Sequence, residues 1–446
     1  MVIRRIWLLV AAAALTLIPA QASAHARLLE SDPKANALLA AAPTHVTLVF
    51  SEMPEVALSS IRLIGPAGDT IILSSLRRDA NRANALTADV PMGIVPGAYG
   101  ILWTAAGKDG HPSRGSLRFS IAFPTREVID AALVHENPAD EEGFPSGSIA
   151  IAGAFGSIIA RWLSFAACFV LIGVVTFRFV VLRPMNPAGN DLFAQIASVN
   201  SATFGIAAAA ASVLGAILKL ARESSDMPDA SLSGMLFSSA WGWSLILQLI
   251  GATGAGLALY RVHRSNRGWT AALAATVLLA ISPGVASHAA ASSKAYIAVP
   301  ADIVHVAVGG MWLGTLAVIV IVGISAALKT PDAIRPGARV ATMINAFSPV
   351  ALTCGGAVVL TGVASALIEV PQLRSLWTTP YGVILLLKLF FVALLFVAGA
   401  WNWRRMKPRL TGDDAISPMR SSASLELMIA VAVLTVTAML VALELP

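Results

Sequence analysis

Charged side chains are scarce in this sequence: Asp, Glu, Lys and Arg make up 13% of it, against roughly 25% in soluble domains. That shortfall excludes an ordinary water-soluble globule, and a mean hydropathy of +0.75 points to lipid as part of the solvent. Cysteine is scarcer still, with two residues in 446. Cys168 and Cys354 both fall in apolar runs, so a disulfide framework is excluded and both read as small core residues. A Walker A sequence is missing, as is a polar segment of ATPase size, which argues against an ATP-driven pump in this chain. The net charge of +6 comes from Lys and Arg in short gaps between apolar runs. That is a topology pattern, not a nucleic-acid patch.

The first 24 residues read as a secretory signal peptide. Arg4 and Arg5 precede an apolar stretch from Ile6 to Leu17, and Ala22-Ser23-Ala24 is a small-x-small cleavage site. The apolar stretch is shorter than the ~20 residues a membrane span needs. Cleavage there makes His25 the first mature residue. A free amino group beside an imidazole offers two nitrogens to one metal ion, a set that suits Cu(II).

Residues 25–123 change character. Val46–Phe50, Ser60–Ile64, Thr70–Leu73, Ala85–Val90, Ala98–Thr104 and Ser116–Ile121 are short β-branched or aromatic runs, punctuated by Pro, Gly, Asn and Asp. Such spacing predicts a small all-β sandwich or barrel. After the run that carries Trp103 comes Asp109-Gly110-His111. In extended chain, residues i and i+2 point to one side, so Asp109 and His111 present a carboxylate and an imidazole together. Glu52 ends the Val46–Phe50 strand and is a further ligand or orienting partner. The same triplet also fits a plain polar turn. His45 reads as a surface residue.

This stretch resembles the CopC family of periplasmic copper-binding proteins. The resemblance rests on His25-Ala26-Arg27-Leu28, Ser31-Asp32-Pro33, Phe50-Ser51-Glu52, Gly97-Ala98-Tyr99, Trp103, Asp109-Gly110-His111 and Gly115 with Phe119. It implies a Greek-key β-barrel with a Cu(II) site made by the His25 amino group and imidazole, Asp109 and His111, with Glu52 nearby. The Met-rich stretch that some members use for Cu(I) is missing, since only Met53 and Met92 occur here.

Residues 124–148 are acidic and loosened by Pro and Gly, a linker. From residue 149 on, eight apolar runs recur, near 149–182, 196–221, 236–260, 269–287, 298–326, 346–368, 381–401 and 424–443. Each is long enough to span a bilayer as a helix. Basic residues concentrate in the third, fifth and seventh gaps, which places odd gaps in the cytoplasm and both the β-domain and the C-terminus outside. That orientation agrees with the signal peptide.

Ionisable residues inside spans are functional candidates. His288, Asp302 and His305 fall at the outer ends of runs four and five, and Asp302 and His305 share a helical face. His288 and His305 predict a metal entry site, with Asp302 as ligand or orienting partner, and Lys388 on run seven falls in the same outer half, where it also fits plain pairing with Asp302 or Glu369. Interfacial hydrogen bonding and helix capping are the alternatives for the same residues. Gly309, Gly310 and Gly314 allow close helix approach.

This half resembles the CopD family of copper-resistance membrane proteins, through Ser287-His288-Ala289, Asp302-x-x-His305, Gly310-Met311-Trp312-Leu313-Gly314, Phe347-Ser348, Tyr381-Gly382 through Lys388, and Asn402 with its basic loop. The whole chain resembles a CopC–CopD fusion: an all-β domain followed by an all-α polytopic bundle. The resemblance implies copper binding and transport at a bacterial inner membrane. Cu(II) is captured outside and passed to the bundle, with Cu(I) as a further form there, and movement is inward. It implies a copper ion and the lipid bilayer as partners, periplasmic copper chaperones as candidates, and no enzymatic role. The alternatives are a membrane redox protein using haem or copper, with His288 and His305 as axial ligands, and a copper-resistance scaffold that does not transport.

Overall fold

The computed structural model describes residues 27–107, 110, 112–122, 148–186, 191–228, 230–262, 265–287, 295–330, 335–370, 372–406 and 416–443, without the side chains of residues 72 and 148–155. His25, Asp109, His111 and His288 lie outside the described residues, as do the signal peptide and most of the linker.

The described residues of the β-domain form nine strands: β1 (Leu28–Asp32), β2 (Ala37–Leu39), β3 (His45–Phe50), β4 (Ser60–Ile64), β5 (Thr70–Ile72), β6 (Ser74–Arg78), β7 (Ala85–Asp89), β8 (Gly97–Ala106) and β9 (Pro112–Ile121). They form two sheets, ordered β1-β3-β7-β6 and β2-β9-β8-β4-β5. All neighbours pair antiparallel except β2 with β9. The period of two decides which face is buried. Val46, Leu48 and Phe50 point inward from β3, and Tyr99, Ile101, Trp103 and Ala105 from β8, to meet Leu117, Phe119 and Ile121. The domain is therefore a sandwich with its own core. Tyr99 anchors one corner by donating to the Val95 carbonyl at 2.6 Å, and burial raises its phenol pKa above the ordinary value.

Among the described residues, eight helices are long and apolar enough to cross a bilayer: α1 (Gly156–Met185), α2 (Leu192–Asp226), α3 (Ala240–Arg261), α4 (Arg267–Val285), α5 (Ala295–Lys329), α6 (Pro336–Glu369), α7 (Pro380–Arg405) and α8 (Ile416–Leu440). They coincide with the eight runs. Large apolar side chains such as Leu352, Leu360 and Val397 face outward, as a lipid environment requires. α1 is central and packs on α2, α4, α5 and α8, while α7 rests mainly on α8. α1 and α5 meet backbone to backbone: a Cβ on Gly314 would collide with Phe169 and Gly173, and one on Gly310 with Ile172. The contact sits where α5 loosens into π-helical turns, at Gly310–Gly314 and Ile319–Gly323. Cys168 and Cys354 are buried and unbonded, as core residues, and His45 is exposed.

Candidate functional site

One end of the sandwich gathers the chain segments that flank the candidate copper ligands. Arg27 N–H donates to the Ser51 hydroxyl at 3.0 Å, and Ser51 N–H returns a bond to the Arg27 carbonyl at 2.8 Å. This ladder end fixes the chain two residues after His25. Glu52 follows Ser51, and its carboxylate lies against Gly107, where a side-chain Cβ would be 2.7 Å from Oε1. Gly107 accepts from Gly110 N–H at 3.0 Å, closing the turn that leads to His111. Gly110 sits at φ +80°, a conformation that glycine adopts without strain. Arg27, Ser51-Glu52 and the Gly107–Gly110 turn thus converge.

The same end docks on the bundle. Gly110 packs on the indole of Trp241, so closely that a Cβ at Gly110 would collide with the ring. Trp241 lies in the first turn of α3, which Ser239 caps by accepting from Gly242 N–H at 2.9 Å. Around it, Leu58 and Ala106 of the β-domain pack with Ala216 of α2, Met227 just past its end, Met235 of the short helix Leu232–Phe237, and Leu245 of α3. Arg114 of β9 donates to the Asp226 carbonyl at the end of α2.

Beneath Trp241 the bundle opens into a cavity of about 270 Å³. Its wall is unusually polar for a membrane interior: Arg161, Lys219, Glu223, Gln248, Asp302, His305, Glu369, Tyr381 and Lys388 all line it. Two hydrogen-bond groups organise it. On one side Lys219 Nζ donates to Gln248 Oε1 at 2.7 Å, and Gln248 Nε2 donates to the Ser164 hydroxyl and the Ser212 carbonyl, each at 2.9 Å. On the other, Asp302 accepts from the Ser365 hydroxyl at 3.2 Å, and Tyr381 donates to Glu369 at 2.5 Å. Asp302 and His305 share a face of α5, and that face is turned to α6.

His305 Nδ1 lies 2.8 Å from the Thr361 hydroxyl. That hydroxyl has one proton, which goes to the Ala357 carbonyl at 2.7 Å. Both contacts are satisfied together when His305 Nδ1–H donates to that hydroxyl, an assignment that leaves the Nε2 lone pair available, as ligation through Nε2 requires. Among the described residues no three His, Cys, Asp or Glu side chains converge as a metal site.

A second cavity, of about 820 Å³, lies between α5, α6, α7 and α8 toward the far end. Trp312 and Phe396 form part of its wall, with ring centroids 5.1 Å apart. Its polar corner is Glu426, which accepts from Asn402 Nδ2 at 2.7 Å. The buried Arg339, 4% exposed, pairs with Asp191 at 3.2 Å and lies over the Phe193 ring.

Sequence reasoning missed the Lys219–Gln248 group, the Asn402–Glu426 pair and the Arg339–Asp191 pair. A signal existed for Gln248, the one amide side chain in the mostly apolar run 240–261.

Three family descriptions match the chain: the CopC domain over residues 28–122, the Copper resistance protein D-like N-terminal domain over 152–297, and Copper resistance protein D over 341–440. Copper transport protein CutJ of Bacillus subtilis (strain 168) is 24% identical over 97% of this chain and 77% of its own length. Protein YobA of Escherichia coli (strain K12) is 34% identical over 22% of this chain and 79% of its own length. The crystal structure of CopC from Methylosinus trichosporium OB3b is 29% identical, covers 22% of this chain and 93% of that one, and superposes with a TM-score of 0.21.

Proposed function

Because this chain belongs to the copper-resistance family that joins a CopC domain to CopD-type membrane domains, we propose that it captures Cu(II) outside the cell membrane and passes copper inward through the helix bundle. The capture site is made by the amino group and imidazole of His25, freed by cleavage after Ala24, with Asp109 and His111. Glu52 is the adjacent carboxylate. Two residues of chain reach at most ~7 Å, so the Arg27–Ser51 anchor keeps His25 close to the Gly107–Gly110 segment, which contains Asp109 and runs into His111. Glu52 lies against that turn.

The observation that carries the hand-off is the seat of Gly110 on Trp241. Trp241 is at once the docking surface for the copper loop and part of the wall of the cavity that holds His305. Copper released from the loop enters at that wall. His305 offers Nε2, with Asp302 one turn away and His288, three residues beyond α4 in the sequence, as the intramembrane acceptor. The β-domain and C-terminus are extracytoplasmic. The chain acts as a transporter and not as an enzyme, and periplasmic copper chaperones are its candidate donors.

Cellular copper uptake tests this directly, with wild type, His25→Ala and His305→Ala side by side. Both variants are expected to lose copper accumulation, and His25→Ala also to lose tight Cu(II) binding in a competition titration. Wild-type accumulation by both variants refutes the capture-and-transfer route.

A further inference from the structure

Glu426 lies inside the bundle at the end away from the β-domain, where the transport reading gives it no part. It is 6% exposed. Its described hydrogen-bond partner is neutral: Asn402 Nδ2, at 2.7 Å, and Asn402 in turn accepts from the Ser422 hydroxyl. Gly399 of α7 faces its other oxygen, with room for a Cβ at 3.5 Å.

Apart from Arg404, the charged and titratable groups on the elements packed against α8 line the other cavity, sit in other contacts or are exposed. On α7, Lys388 and Tyr381 line the cavity below Trp241 and Arg405 lies over Trp401. On α1, Arg161 and Cys168 line that same cavity, Arg178 lies over Trp269, and Arg183 is exposed. On α5, Asp302 and His305 line it too, and Tyr296 and Lys329 are exposed. On α6, Glu369 does so, Arg339 pairs with Asp191, and Cys354 is a core residue. Arg420 of α8 itself is exposed. Arg404, exposed at the end of α7, is the one cation among the described residues that shares the cavity with Glu426. An ionised carboxylate buried against an amide and apolar walls is costly, and such a group is neutralised by binding a cation, most simply a proton.

We propose that Glu426 is a proton-binding site, and that its loading and release are linked to copper movement. The link is mechanical and rests on the transport reading above. Asn402 and Lys388 stand on one helix, fourteen residues or about 21 Å apart. Lys388 faces the cavity that receives copper, while Asn402 holds Glu426. A shift of α7 that accompanies cation entry at one end therefore changes the hydrogen bond at the other. The carboxylate needs that donor more than the neutral acid does, so the two events are coupled in both directions. The proton exchanges with water at the far end, and no electron is transferred.

Two measurements on the full-length protein test this. In infrared difference spectra of the purified protein at neutral pH, wild type minus Glu426→Gln is expected to show the carbonyl stretch of a protonated carboxylic acid, shifted in deuterated water. Glu426→Asp should retain a displaced band. A difference spectrum showing ionised carboxylate instead overturns the proton site. In proteoliposomes given copper ions with a pH dye in the lumen, wild type is expected to show a copper-dependent pH change that Glu426→Gln loses at least tenfold. An undiminished signal in the variant overturns the coupling. Wild-type vesicles that take up no copper would overturn the transport reading and the coupling with it, while the infrared band still decides the proton site.

Discussion

Replacing Gly110 by Ala separates two effects that the structure places on one atom. The first is conformational: φ +80° costs a non-glycine residue about 1–2 kcal/mol. That strain belongs to the turn itself. It is present whether or not the β-domain rests on the bundle, so it cancels from the docking equilibrium. The second is steric: the new methyl meets the Trp241 ring, and overpacking of this kind costs about 1–3 kcal/mol. That cost exists only in the docked state. Truncating the indole in Trp241→Ala leaves the Trp241 Cβ, 3.0 Å from the new methyl, a few tenths of an ångström of crowding that the turn can relax.

The expected coupling between the two substitutions is therefore about 1–3 kcal/mol, roughly 5–150-fold in the docking constant. Spin labels on cysteines placed at Met92 in the β-domain and Leu373 between α6 and α7, both highly exposed, report docked and undocked distances by pulsed electron resonance. The buried Cys168 and Cys354 are replaced beforehand. Gly110→Ala should depopulate the docked distance in the wild-type background and leave it nearly unmoved in Trp241→Ala. An equal shift in both backgrounds refutes the contact, and with it the placement of the copper loop over the cavity.

Arg339→Ala removes the cation that pairs with Asp191 and lies over Phe193, leaving Asp191 with the Phe193 N–H that it caps. Thermal unfolding in detergent should show a loss of about 1–3 kcal/mol, partly recovered by adding Asp191→Asn. Asp79 carries a pH prediction for the β-domain. Bonds from the backbone N–H groups of Asn81 and Arg82, at 2.9 and 3.0 Å, hold its carboxyl below the usual aspartate range. A depressed carboxyl stabilises the fold above its unfolded value, near 3.9. That contribution is lost as pH falls through the lower folded value. Asp79→Asn should therefore flatten acid unfolding below about pH 4, read by circular dichroism, and an unchanged acid limb counts against these bonds.

The β-domain was legible because its core strands alternate. Val46, Leu48 and Phe50 announce a buried face whatever surrounds them. β1, β2 and β6 were not read as strands: β2 is three residues long, and Ser74–Arg78 is mostly exposed and polar. β1 and β6 are edge strands, held by a partner on one side only. The eight spans were legible because lipid imposes length and composition on each helix separately. What the helices turn toward each other was less so. Asp302 and His305 were found by their cost in an apolar run, but their attachment to Ser365 and Thr361 depends on which neighbour packs there. The Asn402–Glu426 pair was not legible because its members lie 24 residues apart, on different helices.

The backbone contact of α1 with α5 has a consequence for motion. A methyl group cannot be inserted between Gly173 and Gly314, so these two helices fit together as a close-packed spine. Freedom to tilt is left to helices that touch the spine less, above all α7, which leans on α8. A cycle that exposes first one cavity and then the other would thus be a rocking of the periphery about a stationary axis, with the β-domain, seated on α2 and α3, riding on the part that stays still.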